Sequence, residues 1–162
     1  PVNDYPFKLH DALDYLSDRE GLTIAVWTPG SYNSAYYEHT TLARLMGIEL
    51  VEGTDLVVKD HVVYMKTTNG LKQVDVIYRR VDDDFLDPLE FNSESVLGAA
   101  GIMAAYRKGT VNIVNAPGTG VADDTGVSWQ AYTRKELVRA RPAAHVRIFF
   151  KDLAQLLGLA RA

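Results

Sequence analysis

The segment LTIAVWTPGSYNSAYYEHTTLARLMG, residues 22–47, predicts a strand, a loop and a helix in succession. Residues 22–27 are an apolar run rich in strand-forming side chains, which is typical of a buried strand. Residues 28–34 are rich in turn formers, and residues 35–47 then predict a helix with Gly47 at its C-cap. This order of elements favours an α/β fold.

The chain on both sides of this segment continues the alternation of helices and strands. The further predicted elements are a helix over 9–19, a strand over 48–53, strands within 56–80 that turn at Asn69-Gly70, a helix over 92–109 and a strand over 111–115. Together they predict an open, Rossmann-like α/β sheet with helices on its faces and a β-hairpin insertion. Ligands on such a sheet bind at the loops that follow the carboxyl ends of the strands.

The composition is that of a globular protein. The chain has 162 residues, of which 47% are hydrophobic and 23% charged, and this excludes wholesale disorder, collagen and a coiled coil. It has no cysteine, which excludes disulfides, thiolate zinc sites and a cysteine nucleophile. No apolar run approaches the ~20 residues that span a membrane, and no secretory signal is recognisable. We therefore expect a cytoplasmic protein without a membrane partner.

The charge is divided unevenly along the chain and predicts two regions. Residues 1–125 hold 19 acidic and 10 basic residues, a net charge of −9. Residues 126–162 hold two acidic and seven basic residues, a net charge of +5. We predict a domain over 1–125 and a basic strand and helix extension over 126–162. Because the larger region is acidic, a nucleic-acid partner is not expected.

The first loop, residues 28–34, combines Gly30 with the hydrogen-bonding side chains of Ser31, Asn33 and Ser34. Together with the start of the next helix, they could bind a phosphate or a carboxylate. A plain turn with a serine or asparagine cap is equally consistent with these residues. Glu38 and His39 follow early in that helix, where they suit either acid–base chemistry or a structural role at the helix start.

The second loop, residues 79–88, is the most unusual run, because Arg79 and Arg80 end an apolar strand and four acids follow. Arginine pairs recognise carboxylate or phosphate groups, and clustered aspartates suit Mg²⁺ or an ammonium group. The alternative is a solvated charge run without a function. The position of the run after a strand favours ligand binding. The third loop, residues 115–124 (NAPGTGVADD), suits phosphate binding or a simple turn.

Taken together, the three loops closely resemble the circularly permuted ATP-grasp type 2 family, which is related to glutathionylspermidine synthase-like ligases. The motifs that carry the resemblance are residues 28–58, 74–89 and 111–124, and the match covers residues 1–124. Thr125 and Gly126 stand where relatives continue with a lysine. The resemblance implies a Rossmann-like, pre-ATP-grasp-type domain. It also implies a ligase that joins a carboxylate to an amine through an acylphosphate, with ATP and Mg²⁺ as cofactors.

The resemblance also implies which residues form the site. The implied catalytic residues are Arg80, Asp82 and Asp83, with Arg80 on an acidic substrate or phosphate and the aspartates on an amine or Mg²⁺. The implied ligand-binding residues are Ser31, Asn33, Ser34, Glu38, His39, Arg79, Asp84, Asn115, Gly118, Gly120, Asp123 and Asp124. No metal ligands are singled out.

The expected function is that of a partial carboxylate–amine ligase. A full ligase of this kind needs several hundred residues, so this chain would carry the substrate-side loops and would not catalyse ligation alone. Its expected partners are a small-molecule acid and amine, and a homo-oligomer is possible. The alternatives are a non-catalytic module that binds a small ligand or a nucleotide, and an oligomerising structural domain.

Overall fold

A computed structural model describes residues 4–118 of the chain. Its helices are α1 (Tyr5–Asp14), α2 (Tyr36–Met46) and α3 (Ile102–Lys108). Its strands are β1 (Ile24–Trp27), β2 (Glu49–Val51), β3 (Leu56–Lys59), β4 (Val62–Thr67), β5 (Gly70–Gln73), β6 (Val76–Arg79) and β7 (Asn112–Val114). Short 3-10 turns lie at Gly53–Asp55 and Asp83–Phe85. No helix in this part of the chain is long and apolar enough to cross a bilayer.

The larger sheet has four parallel strands in the order β2-β1-β6-β7. In its centre, Ala25 pairs with Ile77 and Trp27 pairs with Arg79. Because the strands are parallel, all of them end at the same edge of the sheet. We call this the carboxyl edge. The first residues beyond the strands there are Thr28, Glu52, Arg80 and Asn115.

The smaller sheet is antiparallel, in the order β3-β4-β5, and is inserted between β2 and β6. Asp60 and His61 turn the chain between β3 and β4 with φ angles of 51° and 62°. Gly70, with a φ of 113°, ends the turn between β4 and β5. The predicted hairpin insertion is therefore confirmed and extends to three strands.

The main core lies on one face of the parallel sheet. Ala25, Trp27, Ile77 and Ile113 from alternate positions of that sheet are clustered with Val63 and Met65 of β4 and with Ile102 and Ala105 of α3. The intervening residues of each strand point to the opposite face, because side chains alternate along a strand. Helices α1 and α2 contact each other and the parallel strands, and they bury Leu9, Leu13, Leu42 and Met46.

A buried carboxylate fixes the start of α3. The side chain of Asp87 is fully buried, and its oxygens accept hydrogen bonds from the backbone N–H groups of Leu89, Gly101 and Met103, each at 3.0 Å. Three donors compensate the loss of water around this charge. One of the four acids of the charge run is thus part of the framework.

The predicted helix over 92–109 is wrong in its first half, since α3 begins only at Ile102. A Cβ atom at Gly98 would lie 2.2 Å from the Phe85 carbonyl oxygen, and Gly101 has a left-handed φ of 84°. The predicted helix over 9–19 also lies too late, since α1 spans Tyr5–Asp14. The boundary at 125/126 and the extension over 126–162 lie outside the described residues and stay predictions.

Candidate functional site

Arg79 and Arg80 lie at the carboxyl edge, on opposite faces of the parallel sheet. Arg79 is the last residue of β6 and shares its face with Trp27, whereas Arg80 follows on the face that α1 and α2 cover. The backbone N–H of Arg80 still donates to the Trp27 carbonyl at 2.8 Å, so the alternation continues past the strand end. The two guanidinium groups therefore do not form one bidentate pair.

Arg79 is buried and links neighbouring strands at the carboxyl edge. Its side chain is 5% exposed, and its Nε donates to the Asn115 carbonyl at 2.6 Å. Asn115 returns a bond from its side-chain amide to the Arg79 carbonyl at 3.0 Å, and Asp83 forms an ion pair with the guanidinium at 2.9 Å. Burial lowers the pKa of Arg79 from its usual value, and Asp83 and Asp82 partly offset this effect. These bonds stabilise the carboxyl edge, and ligand binding by Arg79 stays a prediction.

Arg80 is the accessible cation of the edge. Its side chain is 27% exposed and forms an ion pair at 2.9 Å with Glu38, which is 68% exposed. The guanidinium carbon lies 5.9 Å from the centre of the Tyr78 ring, which is within the range of a cation–π contact. An exposed ion pair contributes only about 0–1 kcal/mol, so the Glu38 contact is easily exchanged for another anion.

Two phenols lie beside this ion pair. Tyr5 at the start of α1 lies close to Tyr78 of β6, and burial together with Tyr78 raises the pKa of Tyr5 to about 12. Tyr5 is therefore a neutral hydroxyl at physiological pH. Sequence reasoning missed Tyr5 because the contact joins residues 73 positions apart along the chain.

His39 is buried on the same face of the sheet. Its Nδ1 lies 2.9 Å from Thr28 Oγ1, which also accepts the Gly30 N–H at 3.3 Å. The Thr28 hydroxyl can donate to Nδ1 or accept a proton from it, so this contact is compatible with either tautomer of His39. Burial lowers the pKa of His39, and Arg80 lowers it further, while Glu38 acts in the opposite direction.

We predict that protonation of His39 makes the fold less stable on the acid side of neutrality. Because its pKa is lowered only in the folded state, the unfolded chain binds the proton first as the pH falls. The free energy of unfolding is therefore largest above about pH 6.5 and decreases as the pH falls toward the folded-state pKa. Urea unfolding at several pH values measures this. His39→Gln should make the free energy of unfolding less dependent on pH, whereas His10→Gln should not. If His39→Gln and wild type show the same pH dependence, the prediction is wrong.

The carboxylate of Glu52 lies next to the first loop, a contact that the sequence did not indicate. A Cβ atom at Gly30 would lie 3.1 Å from a carboxylate oxygen of Glu52, which follows β2. Asn33 accepts the Ala35 N–H at 2.9 Å within the turn, but the N-cap of α2 is Ala35, so the predicted serine or asparagine cap is wrong. Ser31, Asn33 and Ser34 are exposed. Their ligand-binding role stays a prediction, and the Glu52 carboxylate disfavours a phosphate close to Gly30.

The third loop is described only in part. Asn115 has a left-handed φ of 59° and Gly118 one of 93°. Gly120, Asp123 and Asp124 lie outside the described residues. Among the described residues 115–118 of this loop, Asn115 lies at the carboxyl edge, where it is bonded to Arg79. Ligand binding by this loop stays a prediction.

The model of the family described as circularly permuted ATP-grasp type 2 matches residues 1–138. The chain belongs to this family. The match to the ATP-grasp family extends beyond residue 124, so the expected end of the resemblance was placed too early.

Several uncharacterized proteins are similar to this chain. One from Synechocystis sp. is 54% identical over 126 residues, which are 76% of this chain and 26% of the relative. One from Mycobacterium tuberculosis is 55% identical over 125 residues, or 76% of this chain and 23% of the relative. Another M. tuberculosis protein is 40% identical over 104 residues, or 64% of this chain and 12% of the relative. The chain spans about a quarter or less of the length of these relatives.

ATP-grasp proteins in general use ATP and Mg²⁺, so we tested whether the carboxylates of the edge fit a magnesium ion. Asp83 is paired with Arg79, and Asp87 is occupied by three backbone N–H groups. Asp82 and Asp84 are exposed. Within residues 4–118, no group of three or more histidine or acidic residues could hold a metal ion. These residues therefore do not fit a magnesium site, and the predicted aspartate cluster is dispersed.

Proposed function

We propose that this chain carries the substrate-side part of an ATP-dependent carboxylate–amine ligase, and that Arg80 binds an anionic group there. The observation that carries the proposal is the accessible guanidinium at the carboxyl end of an interior parallel strand. Ligands of open α/β sheets bind at this end of the strands. The groups that fix Arg80 are the Tyr78 ring and a weak, exposed ion pair with Glu38.

The chemistry of the site supports recognition of a carboxylate or phosphoryl oxygen. A guanidinium matches both groups in geometry, and it would stabilise the charge of an acylphosphate. The exposed Asp82 and Asp84 follow Arg80 in the chain and are suited to an amine substrate. The metal and the remaining ATP contacts would come from other parts of such a ligase, so we assign no reaction step to residues 4–118.

The proposal also includes the type of domain, the related ligases, the cellular location and the substrates. The strand order β2-β1-β6-β7 supports a Rossmann-like, pre-ATP-grasp-type domain. A relation to glutathionylspermidine synthase-like ligases, a cytoplasmic location and small-molecule acid and amine substrates accord with the family. On this proposal, ATP and Mg²⁺ act in the whole ligase, and this chain alone is not catalytically competent.

Calorimetric titration of the 162-residue chain tests the Arg80 site. The titrants are inorganic pyrophosphate, and ATP with and without Mg²⁺. We expect Arg80→Ala to weaken binding about tenfold or more, because it removes the charged partner of the anion. The matched control is Arg107→Ala, since Arg107 is also an exposed arginine paired with a glutamate, Glu90. Equal effects of both variants on binding contradict the Arg80 site. ATP hydrolysis by the chain alone contradicts the proposal that this chain is not catalytically competent.

A second candidate is an oligomerising structural domain. Leu89 and Val96 in the segment before α3 are 74% and 78% exposed, and Phe91 between them is 46% exposed. Exposed apolar side chains of this kind favour self-association. Sedimentation of the chain at high concentration distinguishes this candidate, since a strictly monomeric protein contradicts it.

A further inference from the structure

The Arg80–Glu38 ion pair is balanced in charge. Tyr5, Tyr78 and His39 lie close to it, and burial lowers the pKa of His39, which favours its neutral form. The guanidinium and the carboxylate of the pair are 2.9 Å apart and partly open to solvent. A ligand at this place meets both charges at once.

A ligand with one charge gains less from such a pair than a ligand with both charges. An anion that takes Arg80 displaces the Glu38 carboxylate and is then repelled by it at short range. A cation that takes Glu38 is repelled by Arg80 in the same way. A ligand that carries both charges replaces each half of the ion pair with an equivalent contact, so neither protein charge is left unpaired.

We infer that the Arg80–Glu38 pair is a recognition site for a zwitterionic amino acid, whose carboxylate binds Arg80 and whose ammonium group binds Glu38. This inference rests on the proposed function and names its substrate class. The Tyr78 ring fixes the guanidinium from one side, and the Tyr5–Tyr78 hydroxyls lie beside the pair as neutral hydrogen-bonding groups. These groups orient the ligand and add no further charge to the site.

The second exposed arginine–glutamate pair of the described residues provides a comparison. Arg107 of α3 is paired with Glu90 through two guanidinium nitrogens, at 2.7 Å for the first, and its side chain is 54% exposed. It lies in the last turn of a helix and does not follow a strand end. If charge pairing alone sufficed, this pair would bind the same ligands.

The test is an NMR titration of the full chain that follows the side-chain Nε–H signals of Arg80 and Arg107. The probes are glycine, β-alanine and 4-aminobutyrate as zwitterions, acetate as the anion and methylammonium as the cation. We expect at least one zwitterion to bind about tenfold or more tightly than acetate and methylammonium. The signal of Arg80 should shift and that of Arg107 should not.

Two variants separate this inference from the proposed anion site. Glu38→Gln should abolish the preference for zwitterions and leave acetate binding equal or stronger, whereas Glu90→Gln should change nothing. Arg80→Ala should abolish binding of all carboxylates. If acetate and the zwitterions bind wild type equally, the anion site stands and the zwitterion inference is overturned. If pyrophosphate binds at Arg80 but no amino acid does, the inference alone fails. If neither binds, both proposals fail.

Discussion

Replacing Asp87 by alanine is expected to lower the free energy of unfolding by roughly 3–5 kcal/mol, because buried donors lose a charged acceptor. Three backbone N–H groups, of Leu89, Gly101 and Met103, bind this carboxylate at 3.0 Å each. Two of them belong to the start of α3. Without the carboxylate, the N–H groups of Gly101 and Met103 at this helix start lose their acceptor. Urea unfolding of the purified chain measures the loss.

The matched control is Asp84→Ala, which removes an exposed carboxylate from the same charge run. It should change the free energy of unfolding by no more than about 0.5 kcal/mol, as surface substitutions usually do. The comparison separates a buried acceptor from the general effect of one negative charge. Similar losses in the two variants would refute the framework role of Asp87.

Replacing Gly98 by alanine is expected to destabilise the chain by about 3 kcal/mol or more, or to prevent folding, because a methyl group would overlap backbone atoms. The added Cβ atom would lie 2.2 Å from the Phe85 carbonyl oxygen and 2.7 Å from that of Leu86. Backbone at this contact cannot move as a side chain can. Thermal unfolding and soluble yield measure the effect.

Gly109→Ala is the control for the glycine substitution itself. Gly109 has a left-handed φ of 76° and no atom within 4 Å of an added Cβ atom. Its replacement should therefore cost only the backbone strain, about 1 kcal/mol. If Gly98→Ala costs no more than Gly109→Ala, the segment before α3 is free to shift and the tight contact is unimportant.

The sequence predicts the βα units well because their signals are local. The helix with Gly47 at its C-cap and the hairpin at Asn69-Gly70 depend on periodicity and turn residues that lie within a few positions. The helix over 92–109 fails because Gly98 is needed for contact with the carbonyl of Phe85. That contact is tertiary, and the apolar spacing of the segment does not show it.

The candidate site is predictable where residues share a loop or a helix turn. Glu38, His39 and Arg80 were selected from the sequence, and the structure brings them to one face of the sheet. Treating Arg79 and Arg80 as a pair ignored the two-residue period of a strand, which sends neighbours to opposite faces. Tyr5 and Glu52 reach the edge from other elements, so no spacing in the sequence identifies them.

The two bonds between Arg79 and Asn115 have a mechanical consequence. β7 has only three residues and lies at the end of the sheet, so its own ladder resists tension poorly. The bonds of 2.6 Å and 3.0 Å tie Asn115, just beyond this strand, to the neighbouring interior strand. A pull on the chain at Asn115 is therefore shared with β6, and the buried Arg79 adds to the anchorage that the bonds of Asn112 to Asp75 and Leu16 give to the last described strand.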